Sequence, residues 1–258
     1  VYNRITSELA KGDPSPKDIG DIVAQDVGLS ANILKLVNSA YFGLARHIST
    51  PQQAVIVLGV NVIRSLILSL HVFQSFEPAG RQSFSLPLLW AHCMRTATVA
   101  RTVAQAEGLP REQADHAYIA ALLHDVGKLL LDAQCPDDCQ RVYETVRQSN
   151  RRVADVETEV LGLTHAQVGA YLLGLWGLPG QVVHAVVRHH AAEPDPAQLS
   201  IAEIVYFANL LDHDIVVFNE HYARPTAEPA RLEAIGGVKK YEAWKAAVIA
   251  MGVAAAVE

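Results

Sequence analysis

The sequence predicts an all-α protein, and three observations lead to this prediction. Apolar residues recur at steps of three and four residues along most of the 258-residue chain, as on the buried face of a helix. A hydroxyl residue before proline, at Ser15-Pro16 and Thr50-Pro51, is typical of a helix start. Alternating apolar and polar segments, which would indicate strands, are almost absent. The chain is therefore expected to bury its core between helices.

The N-terminal part is expected to form a small helical subdomain over residues 1–76. Its helices are predicted from their caps and stops: after Ser15, after Ser30 as far as Gly43, from Thr50 to about Gly59, and from Asn61 to about Phe76. Proline, glycine and serine in the segment 77–83 indicate a linker.

A larger helical bundle is predicted for residues 77–220, followed by a helical extension over 221–258 that packs on it. Its helices are predicted at 86–107, 111–131, 136–149, 151–161, 164–175, 179–191 and 197–212, with a mixed segment at 213–237 and a last helix at 239–253. The prolines at 194 and 196 break the pattern within residues 192–198.

Composition excludes several classes of protein. Half of the residues are hydrophobic and 19% are charged, so the chain can bury a core and is not disordered. A net charge of −6 argues against a nucleic-acid-binding partner. No apolar run reaches the roughly 18 residues of a membrane span, so no membrane association is expected. Three cysteines do not make a disulfide framework, which favours a cytoplasmic location.

A histidine and an aspartate stand side by side at His124-Asp125, inside an otherwise apolar predicted helix. Burying both is costly unless they are paired or bound to a metal. Further histidines fall on other predicted helices, at His92, at His165 and at the pair His189-His190, and facing helices of a bundle can converge on one ion. A single histidine in an apolar helix is more often a hydrogen-bonded core residue. From the residues alone, a shared metal site and separate core histidines both remain open.

Several segments, in this order along residues 5–215, carry a family resemblance: Asn38–Gly43, Ile48–Gly59, His124–Lys128, Glu159, Gly162–Ala170, Trp176–Pro179 and His189-His190. They resemble the HDOD (HD-related output domain) family, a bacterial signalling branch of the HD superfamily of metal-dependent phosphohydrolases. The resemblance implies an N-terminal helical subdomain packed on an HD-like helical bundle.

The resemblance also implies a function. We expect a regulatory output module of a bacterial signal-transduction protein, acting through contacts with other signalling proteins rather than as an enzyme. The sequence starts at Val1, without methionine and in a helical pattern, so an upstream receiver or sensor domain is expected, as in a response regulator. The alternative is a metal-dependent phosphohydrolase that acts on a nucleotide or cyclic dinucleotide.

Site roles follow from the resemblance, residue by residue. The positions that match the metal shell are His92, His124, Asp125, His165, His189 and His190. The ion would be a divalent Fe, Mn, Zn or Mg, or the site would be empty. If the enzyme alternative holds, Asp125 and Lys128 are the catalytic candidates, with Lys128 near a substrate phosphate. Asn209 stands where the enzymes carry the last aspartate ligand, which makes the site degenerate; Asp212 replaces that ligand only if it points the same way.

Other polar residues receive ordinary structural roles. Cys135 and Cys139 are expected to be reduced surface thiols. The cluster Arg147, Arg151 and Arg152 is expected to be a solvated face. Residues 212–214 are expected to be polar residues at a helix end.

Overall fold

A computed structural model describes residues 15–75, 83–191, 199–216 and 226–251, and the regular structure in these ranges is entirely helical. The predicted all-α class is confirmed. The chain divides into two compact units, the first ending at Ser75 and the second beginning at Phe76. The predicted linker from 77 on, except Ser83, and the predicted break at 192–198 lie outside the described residues.

The first unit contains four described helices: α1 (Pro16–Ala24), α2 (Val27–Val37), α3 (Pro51–Leu58) and α4 (Val60–Ser75). The side chains of Ser15 and Thr50 accept backbone N–H groups at the starts of α1 and α3, as predicted. The predicted cap at Ser30 is wrong. Asp26 caps α2 instead, and the Ser30 hydroxyl donates back to the Val23 carbonyl, since it lies one turn inside the helix.

Asn38 connects the end of α2 to the loop that leads into α3. Its side-chain amide donates to the carbonyls of Leu34 and Ile48, and its side-chain oxygen accepts the Ile48 N–H at 2.7 Å. These contacts satisfy backbone groups that the end of a helix leaves unpaired. A structural role therefore explains the presence of Asn38 in the family motif.

The second unit contains the remaining described helices, numbered in chain order. They are α5 (Leu86–Ala106), α6 (Arg111–Leu123), α7 (Val126–Gln134), α8 (Pro136–Ser149), α9 (Val153–Leu161), α10 (His165–Leu175), α11 (Gly180–Arg188), α12 (Ile201–Ile215), α13 (Pro229–Ala234) and α14 (Val238–Ala250). Helices α5, α6 and α12 pack on one another, α10 packs on α7 and α11, and α14 packs on α5 and α12.

The predicted single helix over 111–131 is wrong in one respect. It divides at His124-Asp125, where Asp125 adopts φ −100° and ψ 6° between α6 and α7. No proline or glycine precedes the break, so the local pattern does not show it. The break places the two polar residues at the junction of α6 and α7 instead of inside one continuous helix.

The cysteines also differ from expectation. Cys139 is buried on α8 with 4% of its surface exposed, and Cys135 is half-buried at the junction of α7 and α8. The prediction of two surface thiols is therefore wrong, because Cys139 lies on the apolar face of its helix with Val142 and Val146.

None of the described helices alone is long and apolar enough to cross a membrane. The neighbours α3 and α4 reach that length and composition only together, and they are bent by 118° relative to each other.

Gly127, in the first turn of α7, allows this helix to lie directly against the start of α10. A Cβ atom at Gly127 would meet the His165 carbonyl oxygen and lie 2.7 Å from the Gly169 backbone nitrogen. Both obstacles are backbone, which cannot move aside as a flexible side chain could. The glycine thus sets the approach of the helices that carry Asp125 and His165.

We expect Gly127→Ala to lower the free energy of unfolding by about 2–3 kcal/mol, because the added methyl group separates α7 from α10. Gly174→Ala is the matched control, since a Cβ there meets nothing within 4 Å among the described residues. That substitution should raise stability by roughly 0.5–1 kcal/mol through helix propensity. Urea denaturation of both variants checks this; equal midpoints would show that the close approach carries no energetic weight.

Candidate metal centre

The polar residues singled out by the sequence come from four places in the second unit and meet in its interior. His92 lies on α5, His124 and Asp125 lie at the break between α6 and α7, His165 begins α10, and His189 and His190 follow directly after α11. The structure brings the five histidines together around the carboxylate of Asp125. None of them stands apart as an isolated core histidine.

One oxygen of Asp125 faces two imidazoles. Its Oδ2 atom lies 3.7 Å from Nε2 of His92 and 3.4 Å from Nε2 of His124. The two Nε2 atoms are 3.1 Å apart. Ligand atoms of these three residues all lie within 4.8 Å of one another, so the three could hold one ion.

The other oxygen of Asp125 faces a second set of imidazoles. Its Oδ1 atom lies 3.2 Å from Nε2 of His165 and 3.9 Å from Nε2 of His189. Nε2 of His190 lies 2.8 Å from Nε2 of His165. The three histidines form a second group with ligand atoms within 4.8 Å of one another. Asp125 thus stands between two candidate ion sites.

Four of the imidazoles are fixed by a hydrogen bond at Nδ1. The acceptors are Asp212 and Glu157 for His92 and His165, and the carbonyls of Ala121 and Val186 for His124 and His189, at 2.6–2.7 Å. Carbonyls and carboxylates only accept hydrogen bonds, so Nδ1 donates in each case and the neutral ring carries its lone pair at Nε2. This outer hydrogen bond is characteristic of metal-binding histidines.

The buried atoms at the centre lack the partners that a protein interior normally supplies. Among the described residues, Oδ1 of Asp125 and Nε2 of His189 are buried without a hydrogen-bond partner. Each presents a lone pair toward the other across 3.9 Å, and an unsatisfied buried polar atom costs about 1–3 kcal/mol. A cation satisfies both, so the donor set fits a metal.

The electrostatics keep most of the imidazoles neutral. Burial lowers the pKa of His124 to about 4, although Asp125 opposes this shift. Burial and the neighbouring imidazoles also hold the pKa values of His189 and His190 well below the usual range. A neutral imidazole has no proton to lose before it binds a metal, which favours binding at neutral pH.

The pKa shifts of Asp125 and His165 favour the charged form of each group. Burial opposes ionisation of Asp125, but His124 and Lys128 outweigh it and hold the pKa of this carboxyl well below its usual range. Burial would lower the pKa of His165, yet the Glu157 carboxylate raises it. A carboxylate on the far side of the ring also makes an imidazole a stronger metal ligand.

Asp212 does not behave as a polar helix-end residue, and that expectation is wrong. It is 2% exposed, accepts the Nδ1 proton of His92, and accepts two hydrogen bonds from Arg95 at 2.7 and 3.2 Å. It therefore orients a candidate ligand instead of replacing the missing one. His213 is half-buried beside His92, with ring centroids 5.1 Å apart, and burial lowers its pKa to about 3.

Glu157 is a second residue that sequence reasoning missed. The sequence drew attention to Glu159, which is exposed and pairs with Arg151 on the surface. Glu157 is 3% exposed and accepts both the backbone N–H and the Nδ1 proton of His165. The available signal was a carboxylate on the apolar face of α9, next to Val156.

Asn209, the candidate degenerate position, lies on α12 one turn before Asp212. It is 8% exposed, and its Oδ1 atom is buried without a hydrogen-bond partner among the described residues. It lines the same cavity as His92 and Asp125. The side chain thus brings a neutral oxygen to the wall of this cavity, where an aspartate would bring a negative one.

A cavity of about 1020 Å³ opens beside the cluster. His92, Asp125, His165 and His190 are part of its wall. Lys128 also lines it and donates from Nζ to Oδ2 of Asp125 at 2.6 Å. The candidate ion sites are therefore reachable by a small molecule, with an ammonium group beside them.

Comparison with known proteins supplies the family. The family model described as the HDOD domain matches residues 1–192 of the chain. The chain belongs to the HDOD family. This HDOD protein is 30% identical over 210 residues to an uncharacterized protein of Treponema pallidum (strain Nichols), covering 80% of this chain and 40% of that relative. The chain spans less than half the length of the curated relatives it matches.

Two crystal structures share the fold of this HDOD protein. An HDOD domain protein of Geobacter sulfurreducens has a TM-score of 0.75 and 25% identity, over 99% of this chain and 90% of that chain. A proposed phosphohydrolase of Shewanella amazonensis SB2B has a TM-score of 0.74 and 19% identity, over 100% and 93%. At 19% identity, the similarity to the Shewanella protein shows a shared fold and nothing more.

For this HDOD protein we expect Glu157→Ala to weaken metal binding by about 10–100-fold, because His165 loses the acceptor that orients it. Glu159→Ala, two residues along and exposed, is the control and should leave the affinity unchanged. Competition with a fluorescent chelator measures both. An unchanged affinity in Glu157→Ala would show that this carboxylate has a packing role only.

Proposed function

We propose that this HDOD domain is a regulatory module of a bacterial signal-transduction protein, built around a divalent-metal centre with two ion sites. One observation carries the proposal: five histidines surround a single carboxylate, Asp125, and these six donor residues form two groups of the size that holds an ion. Family membership and relatives more than twice as long as the matched region support a role as one module of a larger protein.

The donor set indicates which ions would bind. His92, His124 and Asp125 would hold one ion, and His165, His189 and His190 with the shared carboxylate would hold the other. Imidazole with one carboxylate suits Fe, Mn or Zn better than Mg, which prefers an all-oxygen shell. When bound, such an ion supplies Lewis acidity toward a phosphoryl oxygen and lowers the pKa of a coordinated water.

The chain's own residues define what a ligand meets there. Asp212 and Glu157 hold two imidazoles in place, while Lys128 places a positive charge at the edge of the cavity. A cation at this point attracts a phosphate group. In the proposed module, ligand or metal occupancy changes the surface presented to an attached receiver or sensor domain, as a population shift between two states.

The second candidate function is a metal-dependent phosphohydrolase acting on a nucleotide or cyclic dinucleotide. It is favoured by the position of Lys128 next to Asp125, at the wall of a cavity large enough for such a substrate. Asn209 weighs against it, since an amide oxygen in place of a carboxylate withholds one negative charge from the centre.

The test is turnover of bis(p-nitrophenyl) phosphate by the protein with Mn²⁺ or Fe²⁺, alongside measurement of bound metal. The regulatory module predicts bound metal and no release of nitrophenolate above that of the metal alone. It also predicts that Asn209→Asp gains turnover, while Asn61→Asp, an exposed asparagine of the first unit, does not. Metal-dependent turnover by the wild type that Asp125→Ala abolishes would establish the hydrolase instead. Absence of bound metal would contradict both.

A further inference from the structure

The cavity beside the proposed metal centre is lined by more cationic than anionic side chains. Its charged lining consists of five cationic side chains and three carboxylates: Lys128, Arg147, Arg152, Arg188, Arg231, Asp125, Asp155 and Glu228. The local excess of two positive charges lies in a chain whose net charge is −6. A concave surface with an excess of one sign of charge concentrates ligands of the opposite sign.

The four arginines reach the cavity from four different elements. Arg147 lies near the end of α8, Arg152 at the N-cap of α9, Arg188 at the end of α11 and Arg231 in α13. They do not form a run in the sequence, so the fold assembles them. Arg147 and Arg152 were expected to lie on a solvated face, and their place in one cavity with Arg188 and Arg231 was not predicted.

Two of these guanidinium groups are held in position by neighbours. Arg152 donates from Nε and Nη2 to the two oxygens of Asp155 at 2.8 and 3.0 Å, which leaves three of its five N–H donors. Arg231 donates to Glu228 at 3.2 Å and lies 4.5 Å above the centre of the Tyr206 ring. Groups that are already oriented lose less entropy when they bind a ligand.

Arg147 contrasts with these two. It lines the cavity, is exposed, and forms no ion pair with any residue that the structure describes. A guanidinium without a carboxylate partner is available to an anionic ligand, which it can bind in bidentate geometry.

The size of the cavity points to more than one phosphate. About 1020 Å³ corresponds to the upper end of the range of roughly 300–1000 Å³ that holds whole small-molecule ligands. The lining also includes apolar side chains, among them Phe84, Leu88 and Val187. A ligand that fills this space has an organic body in addition to the group bound at the metal centre.

We propose that Arg147, Arg152, Arg188 and Arg231 form a second anion site, and that the cavity binds a ligand with two separate phosphate groups. One phosphate lies at the His–Asp cluster with Lys128, and the other lies at the arginines. This proposal rests on the proposed metal centre, since that centre places the first phosphate.

The test compares two nucleotides that differ by one phosphate, adenosine 3′,5′-bisphosphate and AMP, by calorimetric titration of the Mn²⁺-loaded protein. The wild type should bind the bisphosphate at least about tenfold more tightly, as expected for added charged hydrogen bonds. Arg147→Gln with Arg152→Gln should bring the ratio of affinities close to one and leave the affinity for AMP unchanged. Arg141→Gln, an exposed arginine on the same helix that does not line the cavity, should keep the wild-type ratio.

Both substituted arginines are exposed, so the double variant should melt at the wild-type temperature, which a thermal scan verifies. Equal affinities for the two nucleotides, binding of neither, or an unchanged ratio in the double variant would overturn the second anion site. If the same samples retain Mn²⁺, the metal centre stands in that case. Failure of the wild type to retain Mn²⁺ would overturn the metal centre and the second anion site together.

Discussion

Asp125→Ala is expected to remove most of the divalent metal from the protein, with an affinity at least ~100-fold lower at both ion sites. The physical reason is that Asp125 contributes its two oxygens to different groups of histidines. It is also the one anionic member among the six candidate ligands. Its loss leaves both groups without an anionic ligand to balance the charge of a bound ion.

Metal analysis after dialysis against a weak chelator measures this effect. Asp137→Ala is the control, because that carboxylate is exposed at the start of α8 and outside the cluster. Wild-type protein and the control should retain metal equally. An Asp125→Ala protein that keeps one full equivalent would show that the two groups of histidines bind independently of the shared carboxylate.

Arg95→Met is expected to cause the largest loss of stability among the substitutions considered, about 3–5 kcal/mol. Arg95 is 1% exposed and donates two hydrogen bonds to Asp212, which is 2% exposed. In the wild type, burial opposes ionisation of Asp212, but His92 and Arg95 outweigh it and keep its pKa low. Removing the guanidinium therefore takes the cationic partner from a buried carboxylate.

A double variant separates the charge effect from the packing effect. Arg95→Met combined with Asp212→Leu should recover most of the lost stability, because two apolar side chains can replace a buried ion pair at little cost. Arg141→Met, in an exposed pair with Asp138, should change stability by no more than about 0.5 kcal/mol. If the double variant is as unstable as Arg95→Met in urea, shape and not charge dominates at this position.

The sequence was sufficient for the helical class, and its resemblance to the HDOD family named the members of the cluster. Apolar periodicity and the caps at Ser15 and Thr50 report on local structure, while the order of the histidines indicated a shared site only together with that resemblance. These signals lie within single segments or in spacing along the chain. They needed no knowledge of the tertiary contacts.

The contacts that were missed share a different property. Arg95 and Asp212 lie 117 positions apart, and although Asp212 was noted as a possible replacement ligand, its ion pair with Arg95 was not expected. The contact between Glu157 and His165 joins one helix to the next. The helix break at His124-Asp125 is not preceded by a proline or glycine that would predict it. Such features depend on partners that tertiary packing brings together, so local patterns do not contain them.

Asn209 is the residue that bears most directly on whether this domain hydrolyses a substrate. Its side-chain oxygen lies buried at the cavity without a partner among the described residues, close in the chain to the carboxylate that orients His92. The proposed centre thus keeps its imidazoles and their supporting hydrogen bonds, while an amide stands at the position proposed for a further anionic ligand. This combination favours metal binding with weak or no hydrolysis.

The most direct test of the metal centre is an anomalous-difference map from crystals of the whole chain grown with Mn²⁺. We expect two peaks, one on each side of the Asp125 carboxylate, the first ligated by His92 and His124 and the second by His165, His189 and His190. A map in which Mn²⁺ lies only at surface carboxylates, with no peak at Asp125, would contradict the proposed metal centre.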